Sequence, residues 1–270
     1  MPVTMLPEEV VAEFSGAGAV VSVERIKHGL TNESWLVRTQ ADAMVVRFSN
    51  AAEQALQINR ASETSILKAV AQAGIGPEVL LCDPSRHLLV TRYAGPAWAH
   101  EDAVADSNIV RIAMLLRRLH SLEAPSALHG VDLVSITDRY LQTLLARKDE
   151  SFASLVARRD AMMTSAARLQ NDTLPCLCHN DVHALNLVGS QAKDEVRLID
   201  WEYAGLGEPM FDLASICVYH RYTSEQRERL LHAYSAASAD EAAPRLKLAC
   251  ELFEYIRDLW MAVRSLTPAL

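Results

Sequence analysis

The sequence predicts an α+β fold in two lobes, a small β-rich N-terminal lobe over residues 1–94 and a larger, mainly helical C-terminal lobe over residues 95–270. Three observations carry this. Short runs of β-branched and aromatic residues crowd the first part of the chain. Beyond Gly95-Pro96, apolar residues recur at helical spacing. A polar stretch from His179 to Glu202 then interrupts the helical half, set between short apolar runs.

In chain order, Val20 to Ile26, Ser34 to Arg38 and Met44 to Phe48 read as strands, separated by turns at His28-Gly29-Leu30-Thr31-Asn32 and Gln40-Ala41-Asp42. A helix is expected from Ala51 to Ala73, stopped by Gly74, Gly76 and Pro77. Val79 to Leu81 and His87 to Arg92 add two strands around a turn at Asp83-Pro84-Ser85, and Tyr93 to Pro96 reads as a hinge. Ile109, Ile112, Leu115, Leu116, Leu119 and Leu122 share one helix face, with Arg111, Arg117 and Arg118 opposite. One further helix is expected over residues 137–169. Thr223 with Gln226 forms a capping box before a helix to Ala237, and a last helix runs from Pro244 to Ser265. Clefts between lobes are favoured ligand sites.

Half of the 270 residues are hydrophobic, enough for a sizeable core. A net charge of −8 gives no basic footprint for nucleic acid and is compatible with a cationic substrate. Met1 to Phe14 carries Glu8, Glu9 and Glu13 and lacks the pattern of a signal peptide. No window reaches the roughly 18 apolar residues of a membrane helix, so no membrane insertion is expected. The five cysteines, an odd count in a long chain, read as reduced thiols of a cytoplasmic protein. Cys176 and Cys178 beside His179 suggest zinc, but a one-residue gap suits a tetrahedral set poorly and no second pair exists.

The chemistry concentrates in His179-Asn180-Asp181, Asn186 and Asp200. Phosphoryl transfer needs a carboxylate to orient and deprotonate the attacking hydroxyl, and hard oxygens to hold Mg²⁺ against the phosphates. Asp181 fits the first role, Asn186 and Asp200 the second, and His179 braces the loop by hydrogen bonding. His-x-Asp with Asn five residues on repeats the spacing of the protein-kinase catalytic loop. A bland polar turn between core strands is the alternative. A metal set of His179, Asp181 and His183 would need a helix at that spacing, which the flanking strand runs oppose. His183 then faces solvent or substrate.

No Walker loop and no triple-glycine loop is present. The turn from Gly29 to Ser34, with Gly29 and Asn32, suits a strand-to-strand phosphate cover, although many hairpins look the same. Arg47 sits among Val45, Val46 and Phe48, which direct its charge into the cleft; an ordinary edge-strand arginine is the alternative. Glu63 on the following helix is its expected partner, with Glu53 competing.

Gly29-Leu-Thr-Asn32, Val45-Val-Arg47, Gly74-Ile-Gly-Pro77, Thr91-Arg-Tyr93, His179-Asn-Asp181 with Asn186, and Leu198-Ile-Asp-Trp-Glu-Tyr-Ala-Gly205 with Pro209 to Asp212 together carry a resemblance. From about residue 25 to 215 the chain resembles the choline/ethanolamine kinase group of the aminoglycoside-phosphotransferase-like superfamily; thiamine kinases are also similar. The resemblance implies a bilobal protein-kinase-like fold and transfer of the ATP γ-phosphoryl group to a substrate hydroxyl with Mg²⁺. It makes Asp181 the base, Asn186 and Asp200 the Mg²⁺ ligands, and Arg47 with Glu63 the phosphate-positioning pair. It makes Arg92, Tyr93 and Ala94 the hinge that takes adenine, and Asp212 a hydrogen-bond partner of the catalytic loop from a helix start.

Glu202 faces the same side as Asp200, where it would coordinate metal or attract a cationic head group. Relatives bind quaternary ammonium with acidic residues and aromatic faces, which nominates Tyr203 and Trp260; core packing is the alternative for Trp260. Arg257, one turn earlier, is expected to face solvent or pair with Asp258 or Glu254. The expected substrate is a small cationic alcohol, choline first, with thiamine, an aminoglycoside or an amino sugar as alternatives. A homodimer is left open. Remoter alternatives are a non-catalytic nucleotide-binding module, which would be expected to lack Asp181 or Asp200, and a zinc hydrolase. A protein kinase would need a glycine-rich loop and more room for a peptide platform.

Overall fold

Period-two alternation in the first part of the chain builds a sheet with two differently employed faces. The structure, a computed structural model, describes residues 5–14, 18–27, 32–49, 58, 60–125, 128, 130–147, 150–171, 174–189, 195–235 and 239–266. Strands β1 (Val20–Ile26), β2 (Asn32–Thr39), β3 (Ala43–Ser49), β4 (Val79–Asp83) and β5 (Leu88–Arg92) form an antiparallel sheet in the order β1-β2-β3-β5-β4. Ser34 pairs with Arg47, and Arg47 with Leu89.

On one face Val37, Met44, Val46, Leu88 and Val90 bury against Val10 and Val11 of helix α1 (Pro7–Ala12), a helix the sequence reading did not expect. Pro7 pre-sets its first turn, and the Glu9 carboxylate accepts from Leu6 N–H at 2.9 Å. The alternate residues Leu36, Val45, Arg47, Leu89 and Thr91 line a cleft. Helix α2 (Arg60–Gln72) sends Ile66, Leu67 and Val70 into the main core. Gly74 ends it at φ 66°, a conformation glycine adopts without penalty. The expected turn with Gly29, and residues 51–57 and 59 of the expected longer helix, lie outside the described residues.

The second part is mainly helical: α3 (His100–Val104), α4 (Asp106–His120), α5 (Leu133–Leu145), α6 (Ala153–Ala157), α7 (Arg159–Asn171), α8 (Pro209–Tyr219), α9 (Ser224–Tyr234) and α10 (Ala239–Ser265). The single helix expected over 137–169 is instead α5, α6 and α7. It starts earlier because Asp132 caps α5, accepting from Val134 and Ser135 N–H. It breaks after Leu145, where the run Arg147-Lys148-Asp149-Glu150-Ser151 offers no apolar side chain to hold a further turn on the core. The last helix starts at Ala239 rather than Pro244; Asp240 and Glu241 favour its first turn, and Pro244 is retained at the loss of one ladder hydrogen bond. The capping box of α9 forms between Thr223 and Gln226.

Ile109, Ile112, Leu116 and Leu119 of α4 pack with Leu213 and Ile216 of α8 and with Leu252 and Leu259 of α10 in the main core. Each such side chain contributes about 1.5–3 kcal/mol of burial free energy. The linker between the two parts crosses the helical part at two glycines. Gly95 has φ 115°, and a Cβ there would stand 2.9 Å from Gly189 Cα. Gly189 has φ 134°, and its Cβ would stand 2.1 Å from Glu195 O. No helix among the described residues is long and apolar enough to cross a membrane.

Candidate active site

Two small ladders frame the polar stretch. Strand β6 (Cys176–Cys178) pairs with β9 (Gly205–Gly207), and β7 (Leu187–Val188) with β8 (Arg197–Leu198). Their apolar residues Leu177, Leu187 and Leu198 are fully buried. The loops leaving β6 and β8 therefore emerge from fixed points, carrying His179 to Asn186 and Asp200 to Tyr203.

His179 braces the loop from the inside. Its ring is buried, its Nε2 lies 2.9 Å from Ile199 O, and Asp181 N–H donates to its Nδ1 at 3.3 Å. The hydrogen-bond pattern puts the proton on Nε2. Burial, against Asp212 and Asp181, holds the ring below its ordinary pKa, so it stays neutral. With both nitrogens held by fixed backbone groups, the Ile199 carbonyl and the Asp181 N–H, it does not join Asp181 and His183 in a metal set. Asp212, in the first turn of α8 and buried, accepts from His179 N–H at 2.8 Å and Asn180 N–H at 2.6 Å. Asn180 and Asp200 have φ 67° and 65°, a left-handed backbone that Asn and Asp tolerate better than other side chains.

Asp181 lines the cleft with its carboxylate held from three sides. Tyr219 Oη donates to Oδ1 at 3.0 Å, Asn186 Nδ2 to Oδ2 at 3.2 Å, and His183 Nε2 lies 3.5 Å from Oδ2. Burial pushes this carboxyl up, but the His183 hydrogen bond and charge, together with His179 and the Tyr219 hydroxyl, outweigh it, and its pKa stands below the ordinary value. Asn186 also donates to Asp181 O at 2.9 Å. Ala184 N–H donates to His220 Nε2 at 3.0 Å; burial beside His100 lowers that ring to about 4, so it remains a neutral acceptor.

Across the cleft, Arg47 donates to Glu63 Oε1 at 2.6 Å and to Asp200 Oδ1 at 3.1 Å. Glu53 lies outside the described residues. Burial pushes Asp200 above the ordinary carboxylate value, with Arg47 opposing and Glu63 and Asp181 adding. Arg60 extends the network: it donates to Glu63 Oε2 at 2.8 Å and Asn32 Oδ1 at 3.0 Å, and pairs with Glu202 at 3.1 Å. Asn32 Nδ2 also donates to Glu202 at 2.8 Å. Glu202, expected to offer its charge to a ligand, is thus buried with that charge met by Arg60.

The remaining positions fall on two sides. At the linker, Tyr93 N–H donates to Ala43 O at 2.9 Å, while the Arg92 guanidinium pairs with Glu78 and Asp42; Arg92, Tyr93 and Ala94 all line the cleft. On the helical side, Trp260 Nε1 donates to Tyr203 Oη at 2.9 Å, and Trp260, Tyr203, Tyr219 and Phe253 line the same cleft. Trp260 is half-buried, packed on the core by one side and open to the cleft by the other. Arg257 pairs with Asp258 at 2.9 Å and Glu254 at 3.6 Å.

Sequence reasoning missed Arg60, Tyr219 and His220. Arg60 had a local signal, lying three residues before Glu63 on one helix face. Tyr219 lies seven residues beyond Asp212, two turns along the same helix. His220, just past the end of α8, had no local signal.

The cleft encloses about 1590 Å³ and joins the two clusters, one around Asp181 and one around Arg47 and Asp200. Residues 22–248 match the family described as APH, phosphotransferase enzyme family. Protein LicA of Haemophilus influenzae is 27% identical over 212 residues, covering 76% of this chain and 60% of that protein. Ethanolamine kinase 2 of Rattus norvegicus is 25% identical over 203 residues, covering 72% of this chain and 52% of that protein. The chain therefore spans only part of these relatives' lengths. The crystal structure of choline kinase LicA from Streptococcus pneumoniae has the same fold, with TM-score 0.79 at 23% identity over 95% of this chain and 89% of that one.

Proposed function

The chain belongs to the phosphotransferase enzyme family, and from that premise we propose that it transfers the γ-phosphoryl group of ATP to the hydroxyl of a small cationic alcohol, choline or a related amino alcohol. The observation that carries the reading is the position of the Asp181 carboxylate. It lines one cleft with the Arg47–Asp200 pair, gripped by Asn186, Tyr219 and His183. In this reading residues 1–94 cover the nucleotide phosphates and residues 95–270 supply the catalytic loop and substrate wall, with adenine against Arg92, Tyr93 and Ala94.

Asp181 orients the substrate hydroxyl and accepts its proton as the bond to phosphorus forms. Its lowered pKa keeps it ionised at neutral pH. Arg47, fixed by Glu63, meets the phosphates; its Nε is buried with no hydrogen-bond partner among the described residues, a donor that a phosphate oxygen would satisfy. The oxygen donors present suit Mg²⁺. Asn186 spends its amide N–H groups on Asp181, so its carbonyl oxygen is the atom it offers. Asp200 is a carboxylate whose charge burial disfavours and a cation would restore. When bound, Mg²⁺ neutralises charge on the transferring phosphates.

The substrate's cation is drawn by Asp181 and by the faces of Tyr203, Tyr219, Phe253 and Trp260, since Glu202 is balanced by Arg60. A cation over one such ring gains about 0.5–2 kcal/mol. The names of the relatives, choline kinase and ethanolamine kinase 2, support the same substrate class. An ATP-consumption screen with Mg²⁺ against choline, ethanolamine, thiamine, aminoglycosides and amino sugars tests it. We expect choline or ethanolamine to lead by about tenfold or more in kcat/KM, the size of one lost cation contact. A sugar or aminoglycoside in the lead would refute the amino-alcohol reading.

A further inference from the structure

We propose that His120, Cys176 and Cys178 form a binding site for a thiophilic metal ion of the zinc class, beneath the catalytic loop and outside the cleft. Strand alternation puts Cys176 and Cys178 on one face of β6, with their Sγ atoms 3.8 Å apart. Two zinc–sulfur bonds of about 2.3 Å at the tetrahedral angle span about 3.8 Å between sulfurs. The thiols therefore already stand one tetrahedral edge apart, so the one-residue gap, expected to suit a tetrahedral set poorly, does not stand against this site. The donor the sequence could not supply comes from the end of α4: a ring nitrogen of His120 and both sulfurs lie within 4.8 Å of one another.

The histidine is prepared for the role. Its Nε2 lies 2.9 Å from Asp212 Oδ2, and a carboxylate only accepts, so the neutral ring carries its proton there. The lone pair is then on Nδ1, 2.8 Å from Tyr234 Oη at the end of α9. A ring N–H given to a carboxylate, with the other nitrogen left as donor, is the usual arrangement of a metal-bound histidine. The Tyr234 hydroxyl, which donates to Nδ1 when no ion is bound, turns away as the ion takes that lone pair, and water supplies the fourth position. Cys178 is buried and Cys176 half-buried, so the ion reaches the site past Cys176.

Loading exchanges the thiol protons for metal–sulfur bonds and releases those protons to solvent, with no change of oxidation state. The His120 proton stays on Nε2, so Asp212 keeps its hold on the His179 and Asn180 N–H groups. The ion ties α4 to β6 and stabilises the native chain by mass action.

The test is a zinc titration of chelator-stripped protein, without ATP or Mg²⁺, read by competition with a chromophoric chelator and by thermal unfolding. We expect one zinc per chain and a Tm that rises with zinc. With Co²⁺ in its place we expect thiolate-to-cobalt charge-transfer absorption. Cys176→Ser and Cys176→Ala should each weaken zinc binding by about 100-fold or more, while phosphotransfer without zinc is unchanged. Zinc bound equally tightly by both variants, or not bound by the parent chain at micromolar concentration, would overturn the site. The readout is binding rather than turnover, so an inactive chain that binds zinc supports this site and counts only against the phosphotransfer reading.

Discussion

Asp181→Asn should fold, bind ATP with Mg²⁺ as the parent chain does, and lose about 10²–10⁴-fold in kcat. The fold should survive because the replacement is isosteric and its donors can be rearranged. With the amide oxygen turned to Asn186 and His183, the new NH₂ group faces Tyr219 Oη, and a hydroxyl can turn from donor to acceptor. His179 and Asp212, which hold the loop backbone, are untouched. On the proposed function, what is lost is the group that accepts the hydroxyl proton. Steady-state kinetics, ATP binding and thermal unfolding on the same preparation check it. Turnover within tenfold of the parent would remove Asp181 from the base role.

Asp200→Asn carries the second large effect. Asparagine also tolerates φ 65°, whereas alanine would add backbone strain to the lost charge. An amide oxygen can still accept from Arg47, so the Arg47–Glu63 contact should persist. If Asp200 holds Mg²⁺ as proposed, removing one anionic oxygen from that donor set should cost about 3–4 kcal/mol at the transition state, or about 10²–10³-fold in kcat/KM. It should also abolish the Mg²⁺ dependence of ATP affinity, read by titrating ATP at several Mg²⁺ concentrations. Parent-like Mg²⁺ dependence in this variant would refute the ligand role.

Local features of this molecule were legible where neighbours in sequence are neighbours in space. Strand β1 has the bounds read from its β-branched run, and β2, β3 and β5 differ from theirs by one or two residues. Arg47 was legible as a cleft-facing charge because strand alternation sends Val46 to the opposite face. Asp181, Asn186 and Asp200 share a compact stretch, so their spacing survives as a motif. The break between α5, α6 and α7 was hidden because a polar run weakens a helix without a proline or glycine to mark it. Arg60 changed the meaning of Glu202, since a pairing across 142 positions leaves no trace in either local pattern. The same holds for His120, which meets Cys176 and Cys178 only after α4 folds back onto β6.

Charge matching explains why the substrate is harder to read than the reaction. The proposed reaction needs fixed oxygens at fixed spacing, which two adjacent loops would supply. On the proposed function, selectivity would rest on Tyr203, Tyr219, Phe253 and Trp260, drawn from three separate stretches, and on whether Arg257 stays with Asp258 and Glu254. Product analysis after incubation with γ-labelled ATP, Mg²⁺ and choline tests the central claim most directly. We predict the label in a phosphomonoester of the choline hydroxyl, formed by the parent chain and not by Asp181→Asn. Label found only in inorganic phosphate, or in the same ester at the same rate with Asp181→Asn, would contradict it.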